Sequence, residues 1–446
     1  MNTLNITPPA SVQTALSVLS DAGFEACIVG GCVRDAMRGA EPHDWDCTTN
    51  ARPEQICACF RGYHVIETGL QHGTVTVVIA HMPIEITTYR IDGVYADHRR
   101  PDSVTFTDSL TDDLARRDFT VNAMAYDPER GLIDPFHGAD DLAKGIIRCV
   151  GSAADRFNED GLRILRAMRF ASVLDFAVEP ATADAIHMQK ILLKHISAER
   201  IDSELTKLLC GTGAERVLTE FADVLFTVLP ELEPMHGFDQ RNPHHDYDVY
   251  THTLKTVAAA PPEPILRWAA LRHDSGKPHT FTEDERGGHF YGHAEISVGI
   301  AERALKAMKC DRHRLDRVML LVEQHDTVFN GTEKQLKRIV RKIGNEAARQ
   351  LILLHRADVS AQAEQHRAER IEESDRLLAM LHSLEEADAC MSLKQLAVSG
   401  NDLIALGIPQ GKAIGTTLNS LLDAVMDGRL PNEREALLEA ARSANK

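Results

Sequence analysis

The run Cys27-Ile-Val-Gly-Gly-Cys-Val-Arg-Asp, followed at Asp44-Trp-Asp46 by a second acidic element, constrains this chain more than any other feature. It reads as a strand ending in a Gly-Gly turn, a short helix carrying Arg34 and Asp35, then a strand carrying Asp44 and Asp46. Gly30 and Gly31 let the backbone approach a polyanion closely, and the free N–H groups of a helix start favour negative charge. Alternate residues of a strand share a face, so the two carboxylates project together. Two hard oxygen donors beside a phosphate cradle suit a pair of Mg²⁺ ions in an in-line displacement at phosphorus. Either fragment alone is commonplace. In this order and this close, they point to phosphoryl or nucleotidyl transfer.

The 446 residues exceed what one core accommodates, and about three domains are expected. A composition of 43% hydrophobic and 26% charged residues is that of an ordinary globular protein. No apolar run approaches the roughly 20 residues that span a bilayer. The N-terminus, Met-Asn-Thr-Leu-Asn-Ile-Thr-Pro-Pro, carries neither a basic nor an apolar leader segment, so a cytoplasmic location is expected, with no membrane partner. Nine cysteines, none in a Cys-x-x-Cys spacing, read as reduced thiols; Cys57 and Cys59 point to different helix faces.

A net charge of −17 argues against a sequence-blind nucleic-acid binder, so any RNA contact must use local concentrations of basic residues. Arg99, Arg100, Arg116, Arg117, Arg156, Arg163, Arg166 and Arg169 form one such concentration. Lys334, Lys337, Arg338, Arg341 and Lys342 form a helical stripe that reads either as a solvated face or as an RNA contact.

Residues 1–150 mix strands and helices. Thr74-Val-Thr-Val-Val-Ile-Ala and Ile84-Glu-Ile-Thr-Thr-Tyr-Arg are strand-like, with a turn at His81-Met-Pro83. Beyond Asp155 strand signals nearly vanish. Leu162-Arg-Ile-Leu-Arg-Ala-Met-Arg-Phe-Ala spaces apolar residues by three and four, as an amphipathic helix does. Helix then follows helix, with breaks at 239–243, 261–262 and 283–288. The expected architecture is an α/β head followed by an all-helical neck, body and tail.

The GGxVRD…DxD ensemble resembles the head of the class II tRNA nucleotidyltransferase and bacterial poly(A) polymerase family, which implies a polymerase β-like head. Three further segments carry the resemblance. Asp92 to Asp118, continuing into Phe119-Thr-Val-Asn-Ala-Met-Ala, is similar to the family's flexible loop and ribose-binding motif, and assigns Arg117, Asp118 and Asn122 to the nucleotide together with Gly30, Gly31 and Arg34. A carboxylate and an amide can bond ribose hydroxyls, the 2′-OH being both donor and acceptor. Asp118 also precedes a helical run and could simply cap it.

The second segment, Glu159-Asp-Gly-Leu-Arg-Ile-Leu-Arg166, resembles the family's EDxxRxxR. Asp160 and Arg163 are expected to be neighbours on one helix face, and the resemblance implies that they template the incoming base, with Arg166 also binding the nucleotide. The chemistry fits: cytosine and adenine offer an amine beside an unprotonated ring nitrogen, matching a carboxylate acceptor and a guanidinium donor. Uracil and guanine reverse both groups and leave buried polar atoms unpaired, which can discriminate by on the order of 10⁴–10⁵. CTP and ATP are therefore the expected nucleotides. Glu85, alternating with Ile84 and Ile86, is a candidate third carboxylate beside Asp44 and Asp46, the expected catalytic pair.

The third segment lies further on. His252, the His273-Asp274 pair and Asp358 follow the H…HD…D order of metal-dependent HD phosphohydrolases, with His293 and His325 matching the extra histidines of richer metal centres. Imidazole and carboxylate suit a divalent metal, and Lys277 could neutralise a substrate phosphate. Ser275 departs from the aliphatic residue the family usually has there. The junction Asn242-Pro-His-His-Asp-Tyr-Asp-Val-Tyr-Thr-His and the segment from Gly400 to Gly415 extend the likeness over essentially the whole chain.

The resemblance implies an enzyme that adds or repairs the 3′-terminal CCA of tRNA from CTP and ATP, releasing pyrophosphate, with Mg²⁺ in the head and a divalent metal in an HD domain. It implies four parts: a nucleotidyltransferase head at 1–150, a neck with the nucleotide-selecting helix at 151–215, a body with the HD domain at 216–380, and a tRNA-binding tail at 381–446. The alternatives are a poly(A) polymerase, an enzyme adding only CC or only A, and an HD phosphohydrolase whose head merely binds RNA.

Overall fold

The computed structural model describes residues 6–93, 103–285, 287–365, 367–386, 390 and 393–444. Arg99 and Arg100 of the first basic concentration, most of the loop expected after Asp92, and the closing Lys446 lie outside the described residues. The chain divides into two compact units, Met1–Pro230 and Glu231–Lys446.

In the first unit, nine strands precede the helical part: β1 (Ala26–Val29), β2 (Asp46–Thr49), β3 (His64–Ile66), β4 (Thr74–Ile79), β5 (Met82–Thr88), β6 (Arg90–Asp92), β7 (Val104–Phe106), β8 (Ala125–Asp127) and β9 (Gly131–Ile133). Seven form one sheet in the order β3-β4-β5-β2-β1-β8-β9, and β6 pairs with β7 as a separate ribbon. β2 and β5 run parallel; the other neighbours in the sheet are antiparallel.

The alternation read from the sequence sets the faces. In β4 and β5 every second residue is buried, and Val75, Val77, Ile84 and Ile86 join Ile28, Cys47 and Phe60 in the head core. The hairpin between β4 and β5 is tighter than expected. Its turn residues are Ala80 and His81, both left-handed at φ 48° and 67°, and β5 already begins at Met82. Pro83 is tolerated within β5 because β2 joins that strand only from Glu85 onward.

After the sheet the first unit is mainly helical, with the expected helix observed at Leu162–Leu174. Strand structure does not vanish altogether: Ile146–Ile147 pairs in parallel with Ala177–Val178. The second unit is built on Val249–Ala259, Pro264–Arg272, His293–Ala307, Arg312–Gln324, Asn345–Ser360 and Arg367–Glu386. The break expected at 283–288 is a β-hairpin, Thr282–Asp284 against Gly287–His289, in a region read as all-helical. Towards the C-terminus, Leu403, Leu421, Leu422 and Leu437 anchor a small core of their own.

Candidate active site and a second, histidine-rich centre

The Gly-Gly turn is built as its sequence demands. Gly30 has φ 82° and donates its N–H to Met124 O at 3.0 Å. A Cβ there would stand 2.8 Å from Arg117 Nη1, so a side chain is excluded by the turn and by that guanidinium together. The Gly31–Met37 helix then carries Arg34 inward. Its Nε and Nη2 donate to both oxygens of Asp35 at 2.9 Å, and its Nη1 donates to Asn122 Oδ1 at 2.6 Å.

Asn122 continues the network, its Nδ2 donating to Asp118 Oδ1 at 3.1 Å. Asp118 also accepts from the Phe119 backbone N–H at 2.8 Å, and its Oδ2 takes Nε and Nη2 of Arg166 at 2.8 and 2.5 Å. Burial works against the Asp118 charge, but Arg166 and Asn122 outweigh it and hold the carboxyl at about 2. Residues 120–122 form a 3₁₀ turn, so Asp118 sits within a buried network and caps no surface helix. Arg34, Arg166 and Arg169 gather around the Phe170 ring, their guanidinium carbons 5.2, 5.5 and 3.7 Å from its centroid.

The carboxylates meet at the edge of this network. Asp46 and Glu85 are Cα partners across the parallel β2–β5 pair, so their side chains share a face. β2 starts at Asp46, whereas Asp44 lies in the bend before it and is exposed; the expected strand carrying both residues is shorter by that stretch. Burial pushes the Asp46 carboxyl up, repulsion from Glu85 and Asp44 adds to it, and Arg117 opposes it. Two carboxylates on one sheet face, with Asp44 adding its repulsion, are oxygen donors of the kind a hard divalent cation takes.

Asp160 and Arg163 are placed differently from expectation. Asp160 is extended and ends the Ala153–Glu159 helix, while Arg163 lies in the first turn of Leu162–Leu174; the two do not share one helix face. Asp160 accepts from Arg200 Nη2 at 2.7 Å and from the Leu162 N–H at 3.0 Å. Arg163 is held by Glu159 and by the carbonyls of Arg156 and Arg116 at 3.1 and 3.2 Å.

The second unit gathers the other residues singled out in the sequence. His252, His273 and Asp274 bring ligand atoms within 4.8 Å of one another, and Asp274, His293 and His325 do the same. Asp358 Oδ1 lies 2.8 Å from His252 Nε2 and 3.6 Å from His273 Nε2. All six are buried or nearly so.

The ring orientations are decisive. Nδ1 of His252, His273, His293 and His325 faces the carbonyl of Ala361, Ala270, Phe290 and Val322 at 3.3, 2.7, 2.8 and 2.6 Å. Those bonds make each Nδ1 a donor and turn each Nε2 into the cluster, where it can ligate a metal once unprotonated. Yet His293 Nε2 faces His325 Nε2 at 3.0 Å, and the buried His273 Nε2 lies 3.2 Å from Asp274 Oδ2. Imidazole nitrogens and carboxylates gathered this closely share protons or a cation, so the set fits a divalent metal.

Burial opposes the charges of Asp274 and Asp358, and the facing histidines, with Lys277 beside Asp274, hold both carboxyls well below the usual range. Lys277 Nζ lies 2.7 Å from Asp274 Oδ2 and donates to Gln240 Oε1 at 2.9 Å. Gly276 allows this loop to reach the His293–Ala307 helix: a Cβ there would be 2.3 Å from His293 O. Ser275 is satisfied by donating to Arg272 O at 2.9 Å. A cavity of about 350 Å³ opens over the cluster, lined by His245, Lys277, Tyr291 and Gln362 among others.

Three family models match the chain: "Poly A polymerase head domain" over residues 26–148, "Probable RNA and SrmB- binding site of polymerase A" over 175–235, and "tRNA nucleotidyltransferase domain 2 putative" over 291–441. The CCA-adding enzyme of Levilactobacillus brevis is 34% identical over 428 residues, covering 96% of each chain. That of Limosilactobacillus fermentum is 32% identical over 447 residues, covering 98% of each. The chain belongs to the CCA-adding enzyme family.

The solved CCA-adding enzyme of Bacillus stearothermophilus in complex with CTP is 30% identical, with a TM-score of 0.71, over 99% of this chain and 98% of that one. The Thermotoga maritima enzyme complexed with tRNA is 20% identical with a TM-score of 0.59, a likeness of fold. The chain thus carries the family's nucleotidyltransferase head with its sheet and a largely helical remainder.

Set against this family, several residues escaped the sequence reading. Asp113, fully buried, collects Thr48 Oγ1, the Arg90 N–H and Arg116 Nε behind β2. Arg200 and Glu204 clamp Asp160 and Arg169 from the Ala198–Leu209 helix. Gln362 donates to Asp358 Oδ2 at 2.9 Å. Asp113 lay unremarked within the Asp92–Asp118 segment, and the others stand outside the motifs read from the sequence.

Proposed function

We propose that this nucleotidyltransferase adds the 3′-terminal CCA of tRNA, the tRNA 3′-hydroxyl attacking the α-phosphate of CTP or ATP and pyrophosphate leaving. The observation carrying the reading is the in-register Asp46–Glu85 pair, flanked by Asp44 and the Gly30 turn. Asp44, Asp46 and Glu85 would hold Mg²⁺, which supplies charge neutralisation for in-line displacement when bound. Gly30 and Gly31 admit the triphosphate to the backbone, with Arg34 and Arg117 as its cationic wall. Asn122 and Asp118 take the ribose hydroxyls. Asp160 and Arg163 read the base, with Arg166 fixing the network beneath; Arg200 and Glu159 must release the pair for that contact.

Full CCA synthesis, as opposed to addition of CC, of A or of a poly(A) run, is read on tRNA lacking its 3′ end, with each labelled nucleotide in turn and products resolved at single-nucleotide length. Asp46→Ala should abolish addition with the fold intact, since the transfer depends on this carboxylate. Near-normal incorporation by that variant under saturating Mg²⁺ refutes the assignment.

A second reading rests on the histidine cluster. Its converging, buried Nε2 and carboxylate atoms support an HD-type metal centre acting as a phosphatase or 2′,3′-cyclic phosphodiesterase, with Lys277 beside the substrate phosphate. The cytoplasm, where the nine free cysteines stay reduced, is the proposed location. The four-part division at 150, 215 and 380 is kept as part of the proposal, the separate apolar core around Leu403 and Leu437 supporting a distinct tail.

A further inference from the structure

The cavity over the histidine cluster carries an aromatic pair that the metal-type chemistry does not use. His289 and Tyr291 both line it, and their rings stack with centroids 5.4 Å apart and planes 15° from parallel. His289 is held in place, its Nε2 lying 2.9 Å from Asp284 Oδ1 across the hairpin of Thr282–Asp284 and Gly287–His289. Tyr291 stands in a four-residue turn closed by the His293 N–H, which donates to Phe290 O at 3.1 Å. Left-handed Gly292, at φ 77° and ψ 9°, takes the third position of that turn. The Tyr291 side is 78% exposed, so one ring face rests on His289 and the other is open. A single exposed aromatic means little. This one is positioned beside metal-type ligands, for its Cα stands within about 7 Å of that of His293, two residues on. Phe290, in the same turn, has Lys277 Nζ 5.3 Å from its ring centroid.

We infer that Tyr291 is the base-binding residue of the histidine centre, a nucleobase stacking on its open face while the phosphate on the same ribose reaches the cluster and Lys277. The inference rests on the HD-type reading above. A nucleotide carries base and phosphate on one sugar, and here the aromatic platform and the ligand His293 belong to one short turn. Every base has a π-face, so such a platform selects nucleotides over other phosphate esters without selecting one base over another. The stack on His289 already restricts the Tyr291 side chain, which lowers the entropy lost on binding.

The test uses the full-length, metal-loaded protein and substrates that share one reacting group. They are adenosine 2′,3′-cyclic phosphate, the methyl riboside 2′,3′-cyclic phosphate, which lacks the base, and a trinucleotide ending in adenosine 2′,3′-cyclic phosphate. Wild type should favour the adenosine compound over the methyl riboside by about tenfold in kcat/KM, the contribution of one stacked base. Tyr291→Ala should bring that ratio to about one, and Tyr291→Phe should keep it. The mononucleotide and the trinucleotide distinguish a free nucleotide from a polynucleotide end as the source of the base, and Tyr291→Ala should lower the better of them by about the same tenfold. Equal use of the adenosine and methyl compounds by wild type, or an equal fall on both in Tyr291→Ala, overturns the inference, while turnover of the methyl riboside still reports the metal centre. If no substrate is hydrolysed, the HD-type reading fails and binding decides the platform. Wild type and Tyr291→Ala are then titrated with a fluorescent analogue of adenosine 3′-phosphate, the head contributing equally to both. Loss of a binding component in the variant supports the assignment, and superimposable curves refute it.

Discussion

Asp118 shows how one buried carboxylate ties the nucleotide motif to the helices behind it. Its ordinary value of 3.8 falls to about 2 because Arg166 and Asn122 outweigh the cost of burial. A carboxyl lowered on folding stabilises the native state above its unfolded value, and that contribution disappears as pH falls from about 4 to about 2. Asp118→Asn should therefore cost about 2 kcal/mol near neutrality, with wild type and variant converging in stability towards pH 2. Denaturant melts at pH 7 and pH 2 check this; a difference that persists undiminished at pH 2 assigns the effect to packing. Asp160 is a contrasting case at the same scale. Its residue type was legible as a base-reading acceptor, but its present partner is Arg200, 40 positions away.

At the scale of elements, the basic stripe of Glu333–Ile343 has a structural use. Lys334 pairs with Asp427 at 3.0 Å, Lys337 donates to Met426 O at 3.2 Å, and Arg341 reaches Asp423 and Asn419. Lys342 donates to Gln324 Oε1 at 2.9 Å. Four of its five cations thus have partners within the second unit, three of them on or beside Lys412–Met426. Exposed ion pairs contribute about 0–1 kcal/mol each, so Arg341→Ala should leave the global melt within about 1 kcal/mol. Amide exchange in Lys412–Met426 should nonetheless accelerate, because local opening is less costly than global unfolding. Unchanged exchange there would refute the docking role. β5 carries the complementary lesson: its alternation was readable, yet its start at Met82 depended on a two-residue left-handed turn and on where β2 begins to pair.

At the scale of the molecule, Asp46 and Glu85 belong to one compact unit and the histidine cluster to the other. Sites without shared partners behave independently. His273→Ala combined with Asp274→Ala should therefore remove bound transition metal and any phosphohydrolase activity, while CCA addition persists wherever circular dichroism shows the second unit folded. Metal should also stabilise wild type, by about 2.7 kcal/mol at a hundredfold excess over Kd, and leave the double variant unchanged. Metal analysis and melting curves decide it. Retained metal in the folded variant refutes the cluster, and lost nucleotide addition refutes the independence of the two centres.

The sequence by itself determined what depends on local spacing and residue chemistry. The alternating strands, the Gly-Gly turn, the Leu162–Leu174 helix and the order of histidines and aspartates all follow from neighbours a few positions apart. Tertiary structure decided the pairings. His252 meets Asp358 across 106 positions, and Arg34 meets Asn122 across 88. It also drew Asp44 out of the strand, assigned the basic stripe to Lys412–Met426, turned four Nε2 atoms inward and set Arg370 on Gln362. Periodicity specifies which face a side chain occupies. Which distant charge it meets there depends on chain crossings that no local pattern encodes.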